Sequence, residues 1–196
     1  MNDSLLTIEQ LVLDLEDEYL KFTKSYYATV DGIYNLRKLT IDEALSDDNF
    51  SNHTLPTYLT DLGDYFGSDN NVLSKYESLY NFRYRIKKWE SINRKLRHNL
   101  FKHKYVSKTL NDFFAARIIL DNIEPDYNDI FDLLDRLKES SILYKFYYRN
   151  DGNYHAIHCY FQDSNKHFPW ELQIWDTQDM IQNYSEHSRH EHEQLN

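Results

Sequence analysis

The chain has 196 residues, enough for one domain with a sizeable core, and a net charge of −10. Its single cysteine, Cys159, excludes an internal disulfide and a cysteine-ligated zinc site, and only four glycines argue against a glycine-rich phosphate loop, so any phosphate must be held by side chains. No apolar stretch approaches about 18 residues and no basic-then-apolar leader opens the chain, which predicts a soluble, cytoplasmic protein.

In chain order, residues 5–27 read as an amphipathic helix, with Leu5, Ile8, Val12, Leu15, Tyr19, Phe22 and Tyr26 recurring every three or four positions. Residues 36–45 suit a second short helix, 46–54 (S-D-D-N-F-S-N-H-T) a polar loop, and 55–80 a partly helical stretch broken near Pro56, Gly63 and Gly67. This half contains no His…His-Asp arrangement that would hold a hydrolytic metal. From there the order is strand 82–87, helix 90–99, apolar strand 113–120, a helix opened by Pro125 and Asp126 and running to 138, alternating strand 142–148, turn 150–153, strand 154–161, strand 170–175 and a polar helix 178–194. The expectation is therefore an α+β fold. A mixed or antiparallel sheet of about five strands (81–196) is flanked by helices and preceded by a mainly helical segment (1–80) within one domain.

Charge is unevenly placed. Ten of the 22 Lys and Arg lie between Arg83 and Lys108 against one acid, Glu90, so this segment carries +9 in an acidic protein. A solvated basic helix explains such a run, and so does an anion-binding wall. Within it, R-I-K-K-W-E-S-I-N-R-K places Arg85 and Lys87 on one face of a strand and Ser91 and Lys95 on one face of a helix. Cations delivered from a strand to the mouth of a helix suit phosphates.

Two carboxylates stand out. Asp112 precedes the strand that contains Arg117, and Glu171 interrupts the apolar strand W-E-L-Q-I-W, with Gln173 on the same face. A buried acid must be paired, bind a metal, or face a cleft. Spacing alone favours a structural Glu171–Arg117 ion pair over joint chelation of Mg²⁺ by Asp112 and Glu171, because ion pairs are commoner. In Y-H-A-I-H, Tyr154 and His158 share a face. A stacking ring and a phosphate or ribose donor are one reading; a core tyrosine and a satisfied core histidine are the other. Cys159 lies in the same alternating run and reads as a small buried hydrophobe.

Taken together, four motifs in one order resemble the synthetase domain of the RelA/SpoT family. R-I-K-K-W-E-S-I-N-R-K resembles R-x-K-x-x-x-S-x-x-x-K. D-F-F-A-A-R-I resembles D-x-x-G-x-R-I, with Ala115 in place of glycine. Y-H-A-I-H is similar to Y-x-S-I-H, with Ala156 in place of serine, and E-L-Q-I-W-D-T to E-x-Q-I-x-T. The likeness runs from about residue 82 to the end. It implies a nucleotidyltransferase-like fold and transfer of the β,γ-diphosphate of ATP to the 3′-hydroxyl of GDP or GTP, giving (p)ppGpp. It implies that Asp112 and Glu171 hold Mg²⁺ and are catalytic. Arg85, Lys87, Ser91, Lys95 and Arg117 would bind ATP, and Tyr154, His158 and Gln173 the acceptor, with Tyr154 stacking on its base.

The chain departs from the family pattern in three places. Before Tyr154 the segment is only K-F-Y-Y-R-N-D-G-N, with Lys145 and Arg149 as its cations and no proline. No Lys or Arg lies between Arg117 and Arg136. The terminal helix, with Glu186 and His190, matches the family's last motif loosely, and its His187, His190 and His192 read as a solvated tail more readily than as a metal site. With no hydrolase segment before it and no regulatory segment after it, the chain is expected to be a small stand-alone synthetase. The shortened acceptor segment and the Arg97, Lys102, Lys104 and Lys108 cluster also suit a toxin-type member that pyrophosphorylates the 3′ end of tRNA, for which an antitoxin partner would be expected. A catalytically inactive nucleotide-binding module is the third reading. Several family members form tetramers, so the resemblance also carries an expected homo-oligomer.

Overall fold

Residues that alternate along five strands divide one sheet into an apolar face and a polar face, and that division positions everything else. The structure is a computed structural model describing residues 3–30, 33–67 and 72–193, with side chains given for all of these except Leu79 and 187–193. The strands are β1 (Asn81–Ile86), β2 (Phe114–Leu120), β3 (Lys145–Asp151), β4 (Tyr154–Phe161) and β5 (Trp170–Asp176), in spatial order β1-β2-β5-β4-β3. Only β2 and β5 are parallel; the other pairs are antiparallel, so the fold is the expected α+β plan with a mixed five-stranded sheet.

The apolar face is covered by helices. Phe82, Phe114, Ile118, Leu172, Ile174, Ile157 and Cys159 belong to one buried cluster with Ile8, Leu11, Val12 and Leu15 of α1 (Asp3–Tyr27). Trp170 of β5 is met by Tyr19 and Phe22 of α1 and by Phe66 of α3 (Leu55–Phe66). Its indole Nε1 donates to the Tyr58 hydroxyl at 3.0 Å, which satisfies a buried donor. Burial pushes the Cys159 thiol well above its ordinary range, as suits a packed hydrophobe. After a 3₁₀ turn at Glu124–Asp126, α7 (Tyr127–Glu139) adds Ile130, Leu133, Leu134 and Leu137 to the same core.

The remaining helices are α2 (Ile41–Ser46), α4 (Ser74–Leu79), α5 (Trp89–His98), α6 (Val106–Thr109) and α8 (Met180–Glu193). The last of these lies on the polar face, where the Asn183 amide Oδ1 accepts from the His155 backbone at 2.9 Å and its Nδ2 donates back at 2.8 Å. No helix among the described residues is long and apolar enough to cross a membrane.

Several local expectations need correction. Residues 36–40 are not helical; helix α2 begins only after Thr40, whose side chain accepts from the Glu43 backbone while Glu43 binds back to the Thr40 backbone. The stretch expected to be a polar loop contains a π-helical turn, Phe50–Thr54, anchored by the buried Phe50 ring. Helix α3 then runs unbroken: Pro56 sits in its first turn, where no amide donor is needed, and Gly63 is tolerated mid-helix. The strand expected at 142–148 starts three residues later, because Ser141 takes a positive φ and the amides of Ile142 and Leu143 are held by the Leu137 carbonyl at the end of α7.

Candidate active site

One end of the polar face stays open between the sheet and α5, forming a cleft of about 700 Å³. It is the end where β2 and β5 begin. Lys87 follows β1, and its backbone amide donates to the Phe113 carbonyl at 2.8 Å, which keeps the chain beside Asp112 as it turns into α5. Ser91, Arg94 and Lys95 then face the cleft at helical spacing. Across it, β5 contributes Glu171 and Gln173, and antiparallel pairing brings Tyr160 opposite Glu171 and His158 opposite Gln173. Edge strand β3 adds Tyr147 and Arg149.

Asp112 is the anchor of the cationic side. Lys87 Nζ lies 2.5 Å from its Oδ2 and Lys95 Nζ lies 3.0 Å from its Oδ1. Burial works to raise its carboxyl, but the ammonium groups of Lys95 and Lys87 outweigh it and hold the acid at about 2. Lys87 moves the opposite way for its own charge: burial and the neighbouring Lys95 lower its pKa although Asp112 supports it. The cluster therefore stabilises the fold by less than the Asp112 shift alone suggests.

Glu171 is held without a lysine or arginine. Tyr160 donates to its Oε1 at 2.7 Å, His158 Nδ1 lies 2.9 Å from the same oxygen, and Gln173 Nε2 donates to Oε2 at 3.0 Å. Burial raises this acid and the charge of Asp112 raises it further, yet the bond and charge of His158 and the bond from Tyr160 prevail and leave it below the usual range. His158 Nε2 is 3.1 Å from the Tyr154 hydroxyl, so the ring bridges Tyr154 and Glu171.

Nine of the ten residues singled out in the sequence line this cleft; Arg117 does not. The Glu171–Arg117 ion pair is not formed. Arg117 instead lies 3.8 Å over the Trp175 ring and 5.1 Å from that of Tyr184, in a smaller neighbouring pocket with Arg83 and Arg85. His158 is both a buried, satisfied histidine, 3% exposed, and a wall of the cleft. Arg94, Asn111, Tyr147 and Tyr160 were missed, and Arg149 was read only as a loop cation. A signal existed for three of them: Arg94 is one helical turn from Ser91, Tyr160 is two residues from His158, and Tyr147 alternates with Arg149. His187, His190 and His192 lie outside the described side chains.

The arrangement is suited to polyanions. Six Lys and Arg line the cleft against two carboxylates, an excess that a polyphosphate would neutralise. The two ionised acids also feel each other's charge, and their oxygens are the donor type a hard divalent cation takes. No group of three or more His, Cys, Asp or Glu among the described residues could hold a metal. Two carboxylates alone leave most of such an ion's shell to phosphate oxygens and water.

No curated protein matches the chain. Among solved structures, it is similar to the small alarmone synthetase 2 from Bacillus subtilis, with 19% identity over 76% of this chain and 84% of that one and a TM-score of 0.41. It is similar to a GTP pyrophosphokinase family protein from Streptococcus pneumoniae, with 16% identity over 68% and 71% and a TM-score of 0.41. It is also similar to the small alarmone synthetase 1 from Bacillus subtilis bound to AMPCPP, with 18% identity over 76% and 82% and a TM-score of 0.39. The family profile described as "Region found in RelA / SpoT proteins" matches residues 84–193, from β1 through α8, a span that takes in the whole cleft. The chain belongs to the RelA/SpoT family.

Proposed function

We propose that the protein is a pyrophosphokinase that moves the β,γ-diphosphate of ATP to the 3′-hydroxyl of a guanine nucleotide, releasing AMP. The observation that carries this reading is the meeting of Asp112 and Glu171 in one cleft with Arg85, Lys87, Ser91 and Lys95. Arg85, Lys87 and Lys95 neutralise the polyphosphate, and Ser91 adds a hydroxyl donor at the mouth of α5. Glu171, bonded among the described residues to His158, Tyr160 and Gln173, would take the proton of the attacking hydroxyl. Tyr154, His158 and Gln173 form the acceptor side around it. A Mg²⁺ ion held by Asp112 and Glu171 would supply further neutralisation of phosphate charge. In-line transfer needs positioning and charge balance more than covalent help, which is what these side chains offer. Arg117 reaches ATP in this reading only from the adjoining pocket that it shares with Arg85.

A second acceptor is favoured by one observation. From Ser91 to Asn111 the chain has no acid, and Arg97, Lys102, Lys104 and Lys108 are all exposed, with Phe101 beside them 81% exposed. Such a surface, on the segment that also supplies Ser91, Arg94, Lys95 and Asn111 to the cleft, suits the phosphates of a tRNA whose 3′ end is the acceptor.

One experiment tests both. The protein is incubated with γ-labelled ATP and Mg²⁺ and offered GDP, GTP or deacylated tRNA. Label in a guanine nucleotide is the expected result, and label in tRNA alone selects the second acceptor. ATP bound without transfer to any acceptor would identify an inactive nucleotide-binding module and refute the proposal.

A further inference from the structure

The last torsion of a glutamate is broad and nearly two-fold, so its own rotamer does not fix where the two oxygens point. Neighbouring donors must do that for Glu171. Its carboxylate meets Tyr160 and His158 at Oε1 and Gln173 at Oε2. In the pyrophosphokinase reaction His158 and Gln173 also belong to the acceptor side, so their bonds to the acid are open to exchange when an acceptor enters. Tyr160 has no second task of this kind. It is 2% exposed, its hydroxyl donates to Oε1 at 2.7 Å, and the Tyr147 hydroxyl lies 3.3 Å from its own.

The register of the sheet makes this contact. Antiparallel pairing sets Lys145 of β3 opposite Tyr160 of β4, and Tyr160 opposite Glu171 of β5. A cation, a phenol and a carboxylate therefore form one row across three strands. Lys145 Nζ lies 4.5 Å from the centre of the Tyr160 ring. A cation there draws electron density from the phenol and makes its O–H a better donor to the acid. A carboxylate offers about four acceptor positions; with two donors at Oε1 and one at Oε2, the open position is on Oε2.

We infer that Tyr160 is the positioning residue of Glu171: its hydroxyl fixes Oε1 and leaves Oε2 to receive the proton of the attacking 3′-hydroxyl. The oxygen that loses this proton forms its bond to the β-phosphorus of ATP as the bond from that phosphorus to the AMP oxygen breaks. The inference rests on the pyrophosphokinase reading for the reaction, whereas the contact between the two side chains does not.

The test compares wild type with Tyr160→Phe, Glu171→Gln and the double variant, by label transfer from γ-labelled ATP with Mg²⁺ and by thermal melting. Tyr160→Phe should lower kcat about ten- to hundredfold and leave KM for ATP within about twofold. Added to Glu171→Gln, it should lower transfer by no more than about threefold further. Its melting loss should be about 3–12 °C alone and about half that on Glu171→Gln, because a bond to an ionised acceptor is roughly twice as strong. Transfer by Tyr160→Phe within about twofold of wild type overturns the inference. So does a rise in KM without a fall in kcat, and so do losses of equal size with and without the Glu171 charge. A wild type that transfers label to no acceptor refutes the pyrophosphokinase reading, and the melting comparison then decides the contact alone: a halved loss sustains Tyr160 as the partner that holds Glu171, and an equal loss removes it. If Tyr160→Phe does not fold, proton NMR of wild type and Glu171→Gln takes its place. A slowly exchanging tyrosine hydroxyl proton that moves upfield in Glu171→Gln sustains the contact, and the absence of such a proton overturns it.

Discussion

Glu171→Gln separates chemistry from architecture because the substitution keeps volume and removes only charge. In the folded protein this carboxylate accepts from Tyr160 at 2.7 Å, His158 at 2.9 Å and Gln173 at 3.0 Å. Bonds to an ionised acceptor are roughly twice as strong as neutral ones, so a glutamine loses part of each. Its new NH₂ also faces the NH₂ of Gln173, which leaves one bond unmade. Against this, the variant no longer buries a charge and no longer repels Asp112, the two influences that raise this acid in the native protein. The balance is a loss of about 1–2 kcal/mol, a fall of about 2–8 °C in melting temperature for a chain of this size. A general base contributes about 10²–10⁴ in rate, so label transfer from γ-labelled ATP should fall at least about a hundredfold. Transfer within tenfold of wild type would refute the assignment of Glu171 to the chemistry. A variant already unfolded at 25 °C would show instead that the carboxylate is held for stability.

Two further outcomes test the scaffold. Tyr58→Phe removes the acceptor of the fully buried Trp170 indole N–H, and an orphaned buried donor costs about 1–3 kcal/mol; thermal melting should drop by about 2–12 °C, and an unchanged melt would contradict the hydrogen bond. Asp14 on α1 is partly buried, which tends to raise it, but bonds from Lys75 at 2.6 Å, Tyr76 at 2.6 Å and Gln10 at 3.1 Å hold it below its usual 3.8. A carboxylate depressed by folding adds stability that is complete above its unfolded value and is lost as pH falls through the folded one. The melting-temperature gap between wild type and Asp14→Asn should therefore be constant from about pH 7 to 5 and close below about pH 4; a gap that persists in acid would mean the bonds do not depend on the charge.

Period and composition carried the second half of the chain well. The runs that open at Tyr154 and Trp170 read directly as strands because alternate residues face different layers. The first half was less legible. A reciprocal cap at Thr40 delays α2, and the buried Phe50 turns an apparently polar loop helical; both depend on contacts that spacing alone does not encode. At the site, residues inside recognisable motifs were found. Tyr147 and Tyr160 were not, because their place beside Glu171 comes from the pairing of β3 with β4 and of β4 with β5, a register that no single segment reveals. Arg117 shows the converse. Its motif position is clear, yet the rings of Trp175 and Tyr184 draw it out of the main cleft.

The seam between β2 and β5 divides labour within the pocket. To one side, Asp112 is held by the ammonium group of Lys87, just past β1, and by that of Lys95, on a helix whose inner residues Ile92 and Leu96 are sealed in the interior, so an exchange there disturbs buried packing. To the other, the outermost ribbon has a neighbour on one flank only, and its side chains can be swapped without reopening the middle. On the reading proposed above, changes along that edge would alter the acceptor and leave the side that holds the donor in place.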